Sequence, residues 1–210
     1  MIRILVADDH AIVRRGLRQI VADESDMEVV GEAQTAQKIL DLARQEEWDV
    51  IVLNISMPGR GGFEALKALK QTHSKRPVLV LSMYPEDQFA VRAFRAGAAG
   101  YMTKESAPEE LVQAIRKVVR GGKYVSPSLA EKLAAELGED AERPPHEALS
   151  EREYHVLCLL ASGKTVTQSA AEMSLSVKTI STYRARLLEK MRMKTNAEVT
   201  RYAIEHRLVA

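Results

Sequence analysis

Through residue 120 the chain alternates short apolar runs rich in β-branched residues with stretches whose apolar positions recur every three or four residues. The runs near 2–7, 27–33, 49–53, 77–82 and 98–102 are predicted strands, and each is followed by a predicted helix, giving five βα units. Strands that are apolar on both faces belong to a parallel sheet covered by helices on both sides. Right-handed crossovers then make a doubly wound five-stranded α/β sheet the economical topology. In such a sheet, binding chemistry gathers beyond the carboxyl ends of the strands. Asp8, Asp9, Asn54, Ser82 and Lys104 all fall at such ends.

The pattern changes after residue 122. Gly121-Gly122 ends the fifth helix, Ser126-Pro127 can open another, and 129–137 is amphipathic. The polar, proline-bearing stretch 138–145 has the composition of an exposed linker. The expected organisation is a first domain over 1–122, a helix and linker over 123–148, and a small all-α domain over 149–210. In the last part Ser150, Thr165 and Thr195 each precede a Glu or Gln by three residues, the capping-box spacing, and Ser176 can cap a helix from Val177 to about Met191. Four short helices are predicted. The stretches 162–164 and 173–176 are their tight connections.

Charge separates the two parts. Residues 149–210 carry ten Lys and Arg against six Asp and Glu, a balance of +4, while the whole chain is +1, which leaves −3 on the remainder. A basic module behind an acidic one points to a polyanionic partner for the second part alone. The single cysteine, Cys158, excludes an internal disulfide and sits in an apolar run, as a small buried hydrophobe would. The opening apolar run is too short for a signal peptide and no stretch approaches membrane-spanning length, so no membrane association is expected and a cytoplasmic location is.

The acidic pair after strand one, the segment Asn54-Ile55-Ser56-Met57-Pro58-Gly59, Ser82 and Gly100-Tyr101-Met102-Thr103-Lys104 together resemble the receiver domain of bacterial two-component response regulators. The segments 149–153, 163–165 and 175–183 resemble the LuxR-type helix-turn-helix that closes regulators of the NarL subfamily. His10, Val13, Arg14 and Gly16 agree with that subfamily's receivers, and His10 is expected to serve the start of the first helix. The resemblance covers essentially the whole chain and implies a flavodoxin-like receiver, a transcriptional role and no enzyme activity. It implies Mg²⁺ held by Asp8, Asp9, residue 54 and the backbone carbonyl of Ser56, with Lys104 and Ser82 taking phosphoryl oxygens. Tyr101 would be the aromatic that follows Ser82 when phosphate arrives. A sensor histidine kinase and double-stranded DNA, bound as a homodimer, are the implied partners.

Asn54 departs from this pattern. It stands where the family places the aspartate that accepts phosphoryl, and a carboxamide is neutral and a poor nucleophile. An acyl phosphate is not expected, and Mg²⁺ affinity should fall with the loss of one of three carboxylates. Two readings stay open: a receiver that never uses phosphate, and an aspartate replaced so that the unphosphorylated state is held. Retention of Asp8, Asp9, Ser82 and Lys104 favours the second.

On the predicted helix 177–191, Ile180, Leu187, Leu188 and Met191 form an apolar stripe that marks its core side. A helix whose N-terminus carries small polar residues flanked by Lys and Arg suits the DNA major groove. Ser181, Thr182 and Ala185 are assigned to base edges or methyl groups. Lys178, Tyr183, Arg184, Arg186 and Lys190 are assigned to the phosphate backbone. Ser169 lies where the family usually carries an aliphatic residue, on an inner face with Val166, Ala170 and Met173, and its hydroxyl is expected to turn back to the Thr165 carbonyl.

Overall fold

The computed structural model describes residues 1–57, 61–84, 86–127, 129–131, 144–206 and 208–209. The expected helix over 129–137, the linker over 138–145 and Pro58-Gly59 fall wholly or mostly outside the described residues. The chain divides into two compact units, Met1–Glu139 and Asp140–Ala210.

The first unit is the expected five-stranded sheet. Its strands are β1 (Ile2–Ala7), β2 (Met27–Ala33), β3 (Val50–Asn54), β4 (Val78–Ser82) and β5 (Gly100–Thr103), all parallel in the order β2-β1-β3-β4-β5. The helices are α1 (Ala11–Ala22), α2 (Ala36–Gln45), α3 (Gly62–Thr72), α4 (Glu86–Arg95) and α5 (Ala107–Val119). Every residue of β3 and β4 is buried, which a strand covered on both faces requires. Because β1 pairs with β2 on one side and β3 on the other, the strand order reverses at β1/β3 and opens a crevice there. Asp8 and Asn54 flank it.

Beyond α5 the chain returns to the sheet. Tyr124 forms a parallel bridge with Gly100, its N–H donating to the Ala99 carbonyl at 3.0 Å, while the Tyr124 hydroxyl donates to Glu110 at 2.6 Å. A side chain at Gly100 would meet Tyr124 Cβ at 2.8 Å, so glycine is what lets the two backbones approach.

The second unit begins with a 3-10 turn, Pro145–Ala148, followed by α6 (Glu151–Ala161), α7 (Val166–Glu172), α8 (Val177–Lys190) and α9 (Asn196–Glu205). Complete capping boxes start α6 and α7. At α9 the pattern closes differently: Thr195 accepts from the Glu198 N–H, but the Glu198 carboxylate takes the Lys194 N–H instead of that of Thr195. Between α7 and α8, Ser174 adopts φ 52° and the N–H of Leu175 returns to the Ala170 carbonyl at 2.9 Å, a tight left-handed stop that turns the chain into the next helix. Ser169 is fully buried and its hydroxyl donates to the Thr165 carbonyl at 2.9 Å, as the sequence predicts.

Burial lowers the pKa of His155 on α6 from 6.5 to about 4, with Glu172 opposing the shift and Arg152 and Lys164 adding to it. The folded state therefore binds fewer protons than the unfolded chain between pH 6.5 and 4. Stability of this unit is complete above pH 6.5 and declines as pH falls to about 4, by a total on the order of 3 kcal/mol. His155→Gln should flatten that decline, read as hydrogen-exchange protection of α6 amides against pH; an unchanged slope would assign the decline to another group.

Candidate functional site

The pocket at the sheet's carboxyl edge is assembled from strand ends, and the register sets it. Ala7 pairs with Leu53, Asn54 with Leu81 and Ser82 with Thr103, so the residues that follow β1, β3, β4 and β5 arrive at one level. Asp8 is completely buried and its Oδ2 lies 2.6 Å from Lys104 Nζ. Its Oδ1 accepts the His10 N–H at 2.8 Å, with the His10 ring Nδ1 at 3.2 Å from the same atom and 3.1 Å from Asp9 Oδ1. His10 thus occupies the N-cap of α1 without a side-chain cap bond and leans on both acids.

Asn54 is 1% exposed. Its Oδ1 accepts the Ser56 N–H at 2.9 Å, which fixes the orientation of the amide and leaves Nδ2 to donate to Asp9 Oδ1, also at 2.9 Å. Ligand atoms of Asp8, Asp9 and His10 lie within 4.8 Å of one another. The two carboxylates are donors that Mg²⁺ accepts. At the third position, however, the carboxamide presents an N–H toward Asp9. An amide N–H is not a ligand for a cation, so on this side of Asp9 the carboxamide stands where a lone pair would be needed.

Ser82 is fully buried, its Oγ accepting the Tyr84 N–H at 3.0 Å. The Lys104 N–H donates to the Ser82 carbonyl at 2.8 Å, which ties the end of β5 to β4. Tyr101 is 1% exposed, and its hydroxyl donates to the Tyr84 carbonyl at 2.9 Å. The pocket thus gathers Asp8, Asp9, Asn54, Ser56 and Lys104 through direct contacts, with Ser82 and Tyr101 joined through Tyr84.

Arg14 belongs to the same network in a role that sequence reasoning did not assign. It is 7% exposed, its guanidinium donates to the Asp8 carbonyl at 2.8 Å and pairs with Glu32 at 3.2 Å. Its spacing with Leu17 and Val21, three and seven residues apart on one helix face, is the signal that places an arginine inside.

In the second unit Ile180, Leu187, Leu188 and Met191 are buried, as the stripe predicts. Ser176 caps α8 by accepting the Thr179 N–H at 3.1 Å. Lys178, Ser181, Thr182, Ala185, Arg186 and Lys190 are exposed, while Tyr183 and Arg184 are half-buried. The Ser181 and Thr182 hydroxyls donate to the carbonyls of Val177 and Lys178 at 2.9 and 3.0 Å. A shallow concavity at the helix start is lined by Ser176, Lys178, Thr179, Thr182, Tyr183 and Arg186. Two of the assigned cations are engaged elsewhere: Arg184 Nε donates to Asn196 Oδ1 at 2.7 Å, and Lys190 Nζ meets Glu153 Oε2 at 2.6 Å.

Residues 4–116 match the response regulator receiver domain, and residues 147–203 match the bacterial regulatory proteins of the luxR family. The response regulator GacA of Pseudomonas aeruginosa is 39% identical over 210 residues, covering all of this chain and 98% of that protein. UvrY of Escherichia coli K12 is 34% identical over 209 residues, covering 99% of this chain and 96% of the relative. Among solved structures, RcsB from Salmonella enterica serovar Typhimurium, bound to promoter rprA in the presence of a phosphomimetic, is 26% identical with a TM-score of 0.60, covering 96% of this chain and 97% of that one. With the sheet, the pocket and the helix-turn-helix in place, the chain belongs to the two-component response regulators, DNA-binding transcriptional regulators in which a receiver domain precedes a LuxR-type module.

Proposed function

We propose that this regulator carries a receiver that cannot take up phosphate at position 54, and that its DNA-binding module acts without that input. The observation that carries the reading is the orientation of the Asn54 amide, held by the Ser56 N–H on one side and donating to Asp9 on the other. The group at the acceptor position has no anionic oxygen to attack a phosphohistidine, and its N–H does for Asp9 part of what a cation would do. Receiver domains bind Mg²⁺ at the acidic pocket as a class; here the affinity is weakened. Asp8, Asp9 and the Ser56 carbonyl are the remaining ligands, and Lys104 and Ser82 the groups that a phosphoryl oxygen would meet.

The test restores the carboxylate. Asn54→Asp incubated with acetyl phosphate and Mg²⁺ should gain acid-labile phosphate, while the unaltered chain gains none. Labelling of both, or of neither, would refute the assignment of position 54.

On DNA the reading places Ser181, Thr182 and Ala185 at base edges, with a homodimer on paired half-sites in the cytoplasm and a sensor histidine kinase as the docking partner of the receiver. RcsB, which this chain resembles, has been solved as two dimers bound to two parallel DNAs. The alternative is a receiver controlled by a ligand or partner protein instead of phosphate. On that reading the unaltered chain binds duplex as tightly as phosphorylated Asn54→Asp.

A further inference from the structure

We propose that the cations of the recognition helix α8 divide into two roles: Lys178 and Arg186 meet DNA phosphates, whereas Arg184 and Lys190 are positioning residues that fix the helix against α9 and α6. The proposal rests on the reading of α8 as the helix that enters the groove, and it moves Arg184 and Lys190 away from the backbone role that sequence alone assigns them.

Helix geometry separates Arg184 from Lys178 and Arg186. At about 100° per residue, Lys178, Ser181, Thr182, Ala185 and Arg186 share one arc, while Arg184 falls between Met191 and Leu188, inside the buried stripe. Arg184 reaches out of that stripe to Asn196, the first residue of α9. Among the described residues, no side chain pairs with the Lys178 ammonium or the Arg186 guanidinium, and both are exposed.

Lys190 is exposed in part, but its partner decides its role. Glu153 is 3% exposed on α6, and its Oε2 accepts both the Ser150 N–H at 2.8 Å and the Lys190 ammonium. Burial alone would raise the Glu153 carboxyl, yet the Lys190 contact and the Ser150 hydrogen bonds outweigh it and hold the group below the usual carboxylate range. Were Lys190 to swing to a DNA phosphate, Glu153 would remain charged, buried and without its counter-ion, a state more costly than an exposed lysine left in water. The pair therefore persists on DNA. The same carboxylate closes the capping box of α6, so the N-terminus of α6 and the last turn of α8 are fixed by one group.

The experiment measures affinity against salt for the full chain on a fluorescent duplex that it has itself selected from a random-sequence pool. Each phosphate contact contributes about 0.9 to the slope of log affinity against log salt. Lys178→Ala and Arg186→Ala, each present twice in the bound homodimer, should each lower the slope by about twice that amount. Lys190→Met and Glu153→Gln, measured well below their melting temperatures, should weaken binding by on the order of tenfold with the slope unchanged. The double variant should lose no more than either single one, and Lys190→Arg should restore affinity.

A slope that falls with Lys190→Met makes Lys190 a phosphate contact and overturns the proposal. Unchanged affinity in folded Lys190→Met and Glu153→Gln makes the pair structural only, and overturns it equally. If Lys178→Ala and Arg186→Ala leave the slope unmoved as well, or no duplex is selected, the reading of α8 itself is what fails.

Discussion

Lys104→Met is expected to destabilise the receiver by about 3–5 kcal/mol, because it leaves the Asp8 carboxylate charged and sealed from water. Asp8 is fully buried, Lys104 Nζ is 2.6 Å from its Oδ2, and the other oxygen is already taken by the His10 N–H. Among the described residues no other Lys or Arg pairs with that oxygen; Arg14 is directed to the Asp8 carbonyl and to Glu32. Pairing Lys104→Met with Asp8→Asn removes both charges and should recover much of the loss, since the cost lies in the uncompensated ion. The single tryptophan, Trp48, is 2% exposed within the first unit, so its fluorescence during urea unfolding of the full chain reports on that unit. Single and double variants of equal stability would show that the Lys104 contact contributes nothing.

Gly62→Ala should cost about 3 kcal/mol or more, at the upper end of what overpacking produces. A Cβ at Gly62 would stand 2.3 Å from Ile55 Cα and 2.6 Å from the Asn54 carbonyl oxygen, both backbone atoms that cannot rotate aside. The Gly62 N–H donates to the Ile55 carbonyl at 3.2 Å, so the start of α3 is seated directly on the segment that orients Asn54. Gly61→Ala is the control. There the Cβ meets the far end of the Glu64 side chain at 2.6 Å, which can turn away, and the loss should be below about 1 kcal/mol. The same Trp48 signal separates the two, and equal losses would locate the strain outside the Asn54–Ile55 backbone.

The sheet was legible because its signal is local. Val50–Leu53 is apolar without interruption, which only a strand covered on both faces tolerates, and strand ends at a common level followed from the parallel topology. Asp8, Asp9, Asn54, Ser82 and Lys104 were legible for the same reason: each sits at the end of a predicted strand or within two positions beyond it. The ion pairs of Arg14 and Glu153 were not, because their partners, Glu32 and Lys190, lie eighteen and thirty-seven residues away, and a charged residue within an amphipathic pattern reads first as surface. Arg184 shows the same limit. Its place within the apolar arc of α8 was visible in the spacing, but its tether to Asn196 depends on how α9 packs. The direction of the Asn54 amide was equally beyond the sequence, since it is set by the Ser56 N–H and by the approach of Asp9 from another strand.

The return of the chain at Tyr124 bears on where this protein can be divided. Tyr124 supplies a donor to the Ala99 carbonyl and accepts from the Tyr101 N–H at 3.4 Å, so it covers the outer margin of β5. A fragment cut after Gly122 would bare that margin as a template on which another copy could add a strand. Extending the fragment past Ser126 keeps the cover in place, and with it the backbone that carries Tyr101.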